Sequence, residues 1–362
     1  MRKIILLLLI IILCLPVLPC TTFFINKNGQ MLFGRNYDWI TGNGMICTNQ
    51  KGLAKVSMNT NDGETISWVS QYGSITFNQY GKEFPTGGVN EKGLVVELMW
   101  LDDTQYPAPD SRPAIEVLQW IQYQLDNCST VDELVATDKK LRIASKGTAP
   151  LHYLVADAKG NVATIEFLKG KMVVHKGNDL PFPVLTNHSY ASGLSLAKVA
   201  VSAPSADYLT FTDNSVERFA KACYMVKEFQ QSNITVPAVD YSFSILDKVA
   251  QGAHTKWSIV YDISNKKIHF KTYGYPEIKN ISFTTLNFDC SLPSKTWDIN
   301  QHVSGSVDGL LSDFTADFNR KIVEKSFDDS EAQISVSKDE RRKTWEYPGS
   351  ISCITSPKNK QS

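Results

Sequence analysis

The strongest constraint on this chain is that its apolar N-terminal segment ends at a cysteine. Arg2 and Lys3 are followed by the apolar run Ile4–Leu13, and no charge occurs before Cys20. A basic start followed by a short apolar run is typical of an export signal, and the run is shorter than the roughly 20 residues of a spanning helix. We therefore expect residues 1–19 to be a signal peptide, Cys20 to begin the mature chain, and the protein to be periplasmic or extracellular.

A chain that begins at Cys20 carries a thiol and a free α-amine on one residue. The thiol is a nucleophile, and the amine, with a reference pKa of about 7.7–8.0, can accept its proton near neutral pH. The alternative is lipid attachment, in which the amine is acylated and the chain is an anchored lipoprotein or binding module. An acylated amine cannot act as a base, so the two interpretations exclude each other.

The residues after Cys20 predict a β-hairpin. Thr21–Ile25 is an apolar, β-prone run, Asn26–Gly29 is a turn signal, and Met31–Asn36 is the returning strand. Such a hairpin brings Arg35 and Asp38 back toward Cys20. A guanidinium there would lower the thiol pKa, and a carboxylate would orient the amine; a surface ion pair is the alternative.

The order of elements along the chain favours an α+β fold with antiparallel sheets. Strand-like runs come in blocks that alternate with blocks of helices rather than singly. Helices are predicted from Ser111–Pro113, from the Thr130–Glu133 capping box, and over residues 214–231 and 241–250. We expect one domain over residues 20–325 and a polar, peripheral tail over residues 326–362.

The composition argues against several classes of partner. Lys and Arg together number 37, as do Asp and Glu, so a net charge of zero favours neither nucleic acid nor an anionic membrane. After residue 19 no apolar run reaches spanning length. The seven cysteines include no C-x-x-C pair, there is no P-loop and no G-x-G-x-x-G, and no cofactor or metal is expected. Export permits disulfides, but the spacing does not say which cysteines pair.

Five short segments, taken together, carry more information than any of them singly. In chain order they are Cys20-Thr21 with Gly34–Asp38, Gly88–Leu94, Val184–Asn187, Glu217–Phe219 and Thr255–Ser258. Their order and spacing resemble the choloylglycine hydrolase family, which includes bile salt hydrolases and penicillin V acylases. The resemblance extends from Cys20 to about Tyr273.

The resemblance implies an N-terminal nucleophile hydrolase with a four-layer αββα sandwich that cleaves linear amide bonds. Cys20 would be the nucleophile and its own amine the base. Arg35 would support the thiolate and Asp38 would orient the amine. The side chain of Asn187 would donate to the oxyanion, and Arg218 would hold the site together electrostatically. The substrate would be a small N-acyl amide such as a conjugated bile salt or penicillin V, and relatives are often tetramers.

One position departs from the family pattern. Trp100 stands where many bile salt hydrolases have Asn, and its indole would reshape the acyl pocket. Trp100, Phe77 and Tyr106 are therefore candidate substrate-binding residues for an apolar or aromatic acyl group, with core packing as the alternative. A papain-like Cys/His enzyme is a further alternative, with His188 as its candidate base.

Overall fold

A computed structural model describes residues 20–203 and 214–354. The predicted signal peptide and the last eight positions of the predicted tail, residues 355–362, lie outside the described residues. Two large sheets and two small ones are formed by strands that we number in chain order.

The first large sheet has seven strands and begins with the predicted hairpin. Asn28 and Gly29 both have positive φ, 54° and 81°, which is the backbone that a two-residue hairpin turn requires. The pairing is antiparallel except that the last strand joins in parallel. In spatial order the strands are β14 (Val184–Leu185), β1 (Thr21–Lys27), β2 (Gln30–Asp38), β15 (Thr255–Asp262), β16 (Lys267–Thr272), β17 (Tyr275–Ser282) and β19 (Gly305–Ser306).

The second large sheet has nine strands, all paired antiparallel. In spatial order they are β13 (Lys171–Lys176), β12 (Val162–Leu168), β11 (Leu151–Ala156), β8 (Val95–Trp100), β7 (Gly87–Asn90), β6 (Ser74–Asn78), β3 (Met45–Asn49), β18 (Lys295–Asp298) and β20 (Ser312–Asp313). The small sheets are β9 (Ala114–Ile115) with β10 (Arg142–Ile143), and β21 (Ser352–Cys353), β4 (Leu53–Val56) and β5 (Ser67–Val69).

Seven α-helices occur in the described ranges. They are α1 (Val117–Asn127), α2 (Val131–Ala136), α3 (Tyr190–Ala200), α4 (Ser215–Gln231), α5 (Ala238–Lys248), α6 (Ala316–Asp329) and α7 (Lys338–Glu346). None of them has both the length and the apolar character needed to cross a bilayer.

The two large sheets pack face to face and helices cover their outer faces. Phe77 of β6 contacts Tyr261 of β15 and Phe270 of β16 edge-on, with ring centroids 6.1 and 5.8 Å apart. Strand β8 alternates, since Val95 points into this inter-sheet core whereas Val96 packs beneath α1. Helices α4 and α5 cover the seven-stranded sheet. The predicted α+β class and four-layer αββα order are therefore confirmed.

Local signals place some helices correctly and one incorrectly. Asn214 caps α4 through its side chain, and Thr130 caps α2, as predicted. The helix predicted from Ser111–Pro113 begins instead at Val117. Glu116 is its N-cap and accepts the N–H groups of Leu118 and Gln119, while the preceding Ala114–Ile115 pairs as a strand.

The segment predicted as a peripheral polar tail is folded as far as residue 354. The expected boundary at residue 325 falls inside α6, whose Val323 and Phe327 are buried. Helix α7 begins with a capping box between Ser337 and Glu340. Few apolar residues suffice here, because a surface helix buries only one stripe.

A disulfide joins the end of this segment to the rest of the molecule. Cys290 and Cys353 are bonded across a sequence separation of 63 residues, with their Cα atoms 5.4 Å apart. The other cysteines of the described ranges are free and buried: Cys20, Cys47, Cys128 and Cys223. The bond fixes β21 beside β4 and so holds the chain that follows α7.

We expect Cys353→Ser to lower the free energy of unfolding by about 2–4 kcal/mol, because the bond restrains the unfolded chain. Equilibrium urea denaturation measures this change. The matched control is the double variant Cys290→Ser/Cys353→Ser, which loses the same bond and should be about as stable as the single variant. Wild-type stability in both variants would contradict a stabilising role for the bond.

Candidate active site

The candidate site forms where the start of β1 meets the end of β2. Thr21 pairs with Asn36 and Thr22 with Arg35, so Cys20 lies beside the Tyr37–Asp38 end of β2. Its Sγ lies 3.7 Å from the backbone oxygen of Asp38. On the other side of β1, Thr22 pairs with Leu185 of β14, which brings Asn187 to the same end of the sheet. The hairpin prediction therefore brings Arg35 and Asp38 back toward Cys20 correctly, whereas it made no statement about Asn187.

Arg35 is completely buried and connects the two large sheets. One guanidinium nitrogen donates to the Thr86 oxygen at 2.8 Å and forms an ion pair with Glu97 of β8. Glu97 also accepts a hydrogen bond from the Tyr261 hydroxyl. Burial alone would lower the pKa of Arg35, but the Glu97 carboxylate raises this pKa above its ordinary value. The positive charge is therefore held permanently within the core below Cys20.

Glu97 needs a glycine opposite it. Gly87 of β7 is its partner in the antiparallel register, and a Cβ on Gly87 would overlap the Glu97 carboxylate. Glu97 was not predicted as a site residue, although an acidic residue inside the apolar run Leu94–Leu101 was a signal that could have revealed it.

Cys20 is 4% exposed, and its burial has an electrostatic consequence. Burial raises the pKa of the thiol to about 11, whereas the nearby Arg35 guanidinium acts to lower it. In the full chain the nitrogen of Cys20 forms an amide with Pro19 and carries no charge. The thiol of the full chain therefore stays protonated at neutral pH.

Asp38 is also fully buried, and burial raises the pKa of its carboxyl to about 7. Among the described residues no group completes a hydrogen bond to either carboxylate oxygen, although the nearby Thr255 hydroxyl favours the charged form. A buried carboxylate whose oxygens lack hydrogen-bond donors lowers the stability of the folded protein. The position next to Cys20 therefore has unused capacity to accept a donor.

Arg218 ties the elements of the site together. From α4, its Nη1 donates to the backbone oxygen of Cys20 at 2.9 Å and to the Thr21 hydroxyl at 2.7 Å. Its Nη2 lies 3.4 Å from the side-chain oxygen of Asn187. The Asn187 side-chain nitrogen donates to the Trp100 oxygen at 2.8 Å. This chain of contacts fixes the amide of Asn187 with its N–H groups on the Trp100 side.

A cavity of about 330 Å³ adjoins the site, and its wall includes Cys20, Asp38 and Trp100. Trp100 faces Trp39, with ring centroids 6.1 Å apart, so this predicted substrate-binding residue does lie in the cavity wall.

The other two predicted substrate-binding residues are placed elsewhere. Phe77 is wholly buried between the sheets, because β6 turns it toward Tyr261 and away from the cavity. Tyr106 packs on Phe167 and its hydroxyl donates to the Ala149 oxygen, so it supports the cavity wall from behind. Prediction from aromatic content alone does not distinguish these positions.

His188 does not lie in the cavity wall. Its Nδ1 is 2.8 Å from the Ser215 hydroxyl, and burial lowers its pKa to about 4. The ring is therefore neutral and bound to α4 rather than to Cys20, which gives no support to a papain-like pairing.

Known proteins resemble this chain in both sequence and fold. Residues 20–191 match the choloylglycine hydrolase family of linear amide C–N hydrolases. Penicillin V acylase from Pectobacterium atrosepticum is 30% identical over 61% of this chain, and the chain spans only 61% of that relative. The structure of penicillin V acylase from Agrobacterium tumefaciens superposes with a TM-score of 0.72 at 26% identity, covering 82% of this chain and 98% of that one.

A conjugated bile acid hydrolase variant from Clostridium perfringens shares the fold, with a TM-score of 0.66 at 20% identity over 79% of this chain and 98% of that one. The fold is thus that of the N-terminal nucleophile hydrolases. In the family match and in the relatives that share both sequence and fold, the chain is similar to the choloylglycine hydrolase family of linear amide C–N hydrolases.

Proposed function

We propose that the protein hydrolyses small N-acyl amides with Cys20, freed as the N-terminal residue, as the nucleophile. The observation that carries this proposal is the buried Asp38 carboxylate beside Cys20, which lacks a full hydrogen-bond partner. Removal of residues 1–19 would convert the Cys20 nitrogen into an amine next to that carboxylate. An ammonium there would pair with Asp38 and lower the pKa of both the carboxyl and the thiol.

The mechanism follows from this arrangement. The amine takes the thiol proton, and the thiolate attacks the amide carbonyl, whose oxygen becomes negatively charged. We expect the Asn187 side chain to donate to that oxygen through the N–H that is not bonded to Trp100. The C–N bond then breaks as the ammonium gives its proton to the departing nitrogen, and a thioester remains on Cys20. Water, deprotonated by the amine, hydrolyses the thioester and restores the free thiol.

The acyl group is proposed to be apolar or aromatic. Two indoles, Trp39 and Trp100, stand in the same cavity wall as Cys20, and apolar walls with few polar groups are typical of small-molecule sites. Penicillin V, cleaved by the penicillin V acylases, and conjugated bile salts are the first substrates to try. Export is part of the proposal and is supported by the Cys290–Cys353 disulfide, since such bonds persist in oxidising compartments.

The decisive comparison is between a chain that begins at Cys20 and one with a single Gly before it. We expect only the first to hydrolyse the substrates and to show, by intact mass, a transient gain equal to the acyl group. We also expect iodoacetamide to alkylate its Cys20 faster at pH 7.5, because the ammonium lowers the thiol pKa. The control is Cys20→Ala in the first chain.

Equal hydrolysis by the Gly-extended chain would overturn the proposal. So would an expressed protein whose natural N-terminus is an acylated Cys20 or lies well beyond it.

Asn187→Ala tests the proposed oxyanion donor. We expect kcat to fall on the order of 10²–10³-fold with KM little changed, since the bond strengthens only in the transition state. Steady-state kinetics on one hydrolysed amide measures both constants. His188→Ala, in the same segment, is the control and should remain within a few-fold of wild type; a raised KM with normal kcat in Asn187→Ala would contradict the assignment.

The Arg35–Glu97 pair allows folding and reactivity to be separated. Glu97→Ala leaves a buried charge unpaired, so the free energy of unfolding should fall by about 3–5 kcal/mol. The double variant Arg35→Met/Glu97→Leu should recover most of that loss, yet its Cys20 should react slowly with iodoacetamide because the thiolate has lost its positive neighbour. Urea denaturation and alkylation rates measure the two effects, and wild-type alkylation in the double variant would exclude Arg35 from thiolate support.

A further inference from the structure

We propose that the C-terminal hairpin, defined as residues 316–346 with helices α6 and α7, is the acyl-recognition wall of the cavity. Phe327, Ile334 and Val336 are inferred to set the size of the acyl group that is accepted. This inference rests on the proposed amide hydrolysis and adds to it the residues that determine specificity. The hairpin lies outside residues 20–191, the part that matches the family.

Phe327, Ile334 and Val336 stand in the wall of the cavity that also contains Cys20. Phe327 is 7% exposed, and its orientation is fixed by two neighbours. The Tyr80 ring lies 4.8 Å from its ring centroid, and the Arg341 guanidinium carbon lies 5.5 Å from it. The apolar surface is therefore preformed, which lowers the entropy lost when a ligand binds.

The hairpin is connected to the catalytic end of the cavity by hydrogen bonds. The indole N–H of Trp39, the residue after Asp38, donates to the Tyr80 hydroxyl at 2.7 Å. That hydroxyl lies 3.1 Å from the hydroxyl of Ser330, which follows α6. Every residue in this series of hydrogen bonds is buried, so the distance between Cys20 and the hairpin is fixed. The hairpin can therefore limit the length of the acyl group that binds.

Further hydrogen bonds, buried or partly buried, make the hairpin a fixed wall and not a lid. The Thr41 hydroxyl donates to the Asp329 carboxylate at 2.7 Å, and the Asn43 amide donates to the Ser326 hydroxyl at 2.8 Å. The Lys82 backbone N–H donates to the Asn319 side chain at 2.9 Å. These residues come from the loop after β2 and from the loop after β6, so the hairpin is attached to both large sheets.

The apolar part of the cavity wall, which includes Phe327, Ile334 and Val336, suits an acyl group better than the polar part does. Beside the hairpin, the wall continues with the buried aromatic residues Tyr80 and Phe84. The wall also contains the polar loop 59–61, the exposed Lys146 and, from α7, the exposed Glu340 and Lys343, and these polar residues suit the amine part of a substrate. An apolar chain gains about fourfold in affinity for each methylene group that it buries. The apolar part of the wall is therefore the part that selects acyl chains by their length.

The test uses linear N-acyl para-nitroanilides from acetyl to dodecanoyl. Val336→Trp fills part of the cavity and should lower kcat/KM for the longer amides at least tenfold more than it lowers kcat/KM for the acetyl amide. Phe327→Ala enlarges the cavity and should move the optimum to longer chains. Arg320→Ala, which changes an exposed residue of α6, is the matched control and should keep the wild-type length profile.

A binding measurement keeps the inference separate from the proposed function. Calorimetric titration with the free linear acids from butanoic to dodecanoic acid needs no hydrolysis, and Val336→Trp should weaken binding of the longer acids only. If wild type cleaves no anilide but the acids show this difference, the function fails and the inference stands. Identical length profiles for Val336→Trp, Arg320→Ala and wild type, in hydrolysis or in binding, would overturn the inference.

Discussion

A guanidinium with no exposed surface lies between the two sheets of this protein, and the arrangement of the site depends on it. Arg35 belongs to the first sheet, whereas Glu97 and the Thr86 oxygen, which it contacts, belong to the second. A charge buried in this way is tolerated only with partners of good geometry. The same charge lies close enough to Cys20 to favour its thiolate, so the contact that aligns the sheets also acts on the thiol that we propose as the nucleophile.

The remaining groups of the site come from chain segments far apart in sequence. Cys20 begins one strand and Asp38 ends the next, Asn187 follows a third, and Arg218 lies on a helix that crosses behind them. Arg218 connects two of these segments through bonds to Cys20 and toward Asn187. A site assembled from strand ends is positioned by sheet register, which is rigid, and the C-terminal hairpin supplies part of the adjoining cavity wall.

Sequence reasoning succeeds here where the signal is local. The turn within Asn26–Gly29, the helix that begins near Asn214 and the strand–turn–strand path from Cys20 to Asp38 depend on adjacent residues, and the structure contains all three. The relevant side chains of Cys20, Asn187 and Arg218 were brought together only by the family resemblance, because no local pattern links positions so distant.

The sequence could not reveal partners that depend on which sheet faces which. Phe77 and Trp100 are both aromatic residues in strands, yet one is buried between sheets and the other lines the cavity. Glu97 lies in an apolar strand, and only the packing of β2 against β8 shows that its carboxylate meets Arg35. Polar composition concealed α6 and α7, since the few apolar residues that anchor them are spread over a mostly charged segment.

A side chain at position 87 would overlap the Glu97 carboxylate. This overlap restricts the substitutions that the protein can accept as its sequence diverges. Gly87 and Glu97 are cross-strand neighbours, and the space that one lacks is occupied by the other. A descendant that gains a side chain at position 87 must first shorten or lose the acid at position 97, and Arg35 is then left without its counter-charge. Positions 35, 87 and 97 therefore have to change together in evolution. Any route to a different combination of residues passes through an intermediate sequence that is unstable.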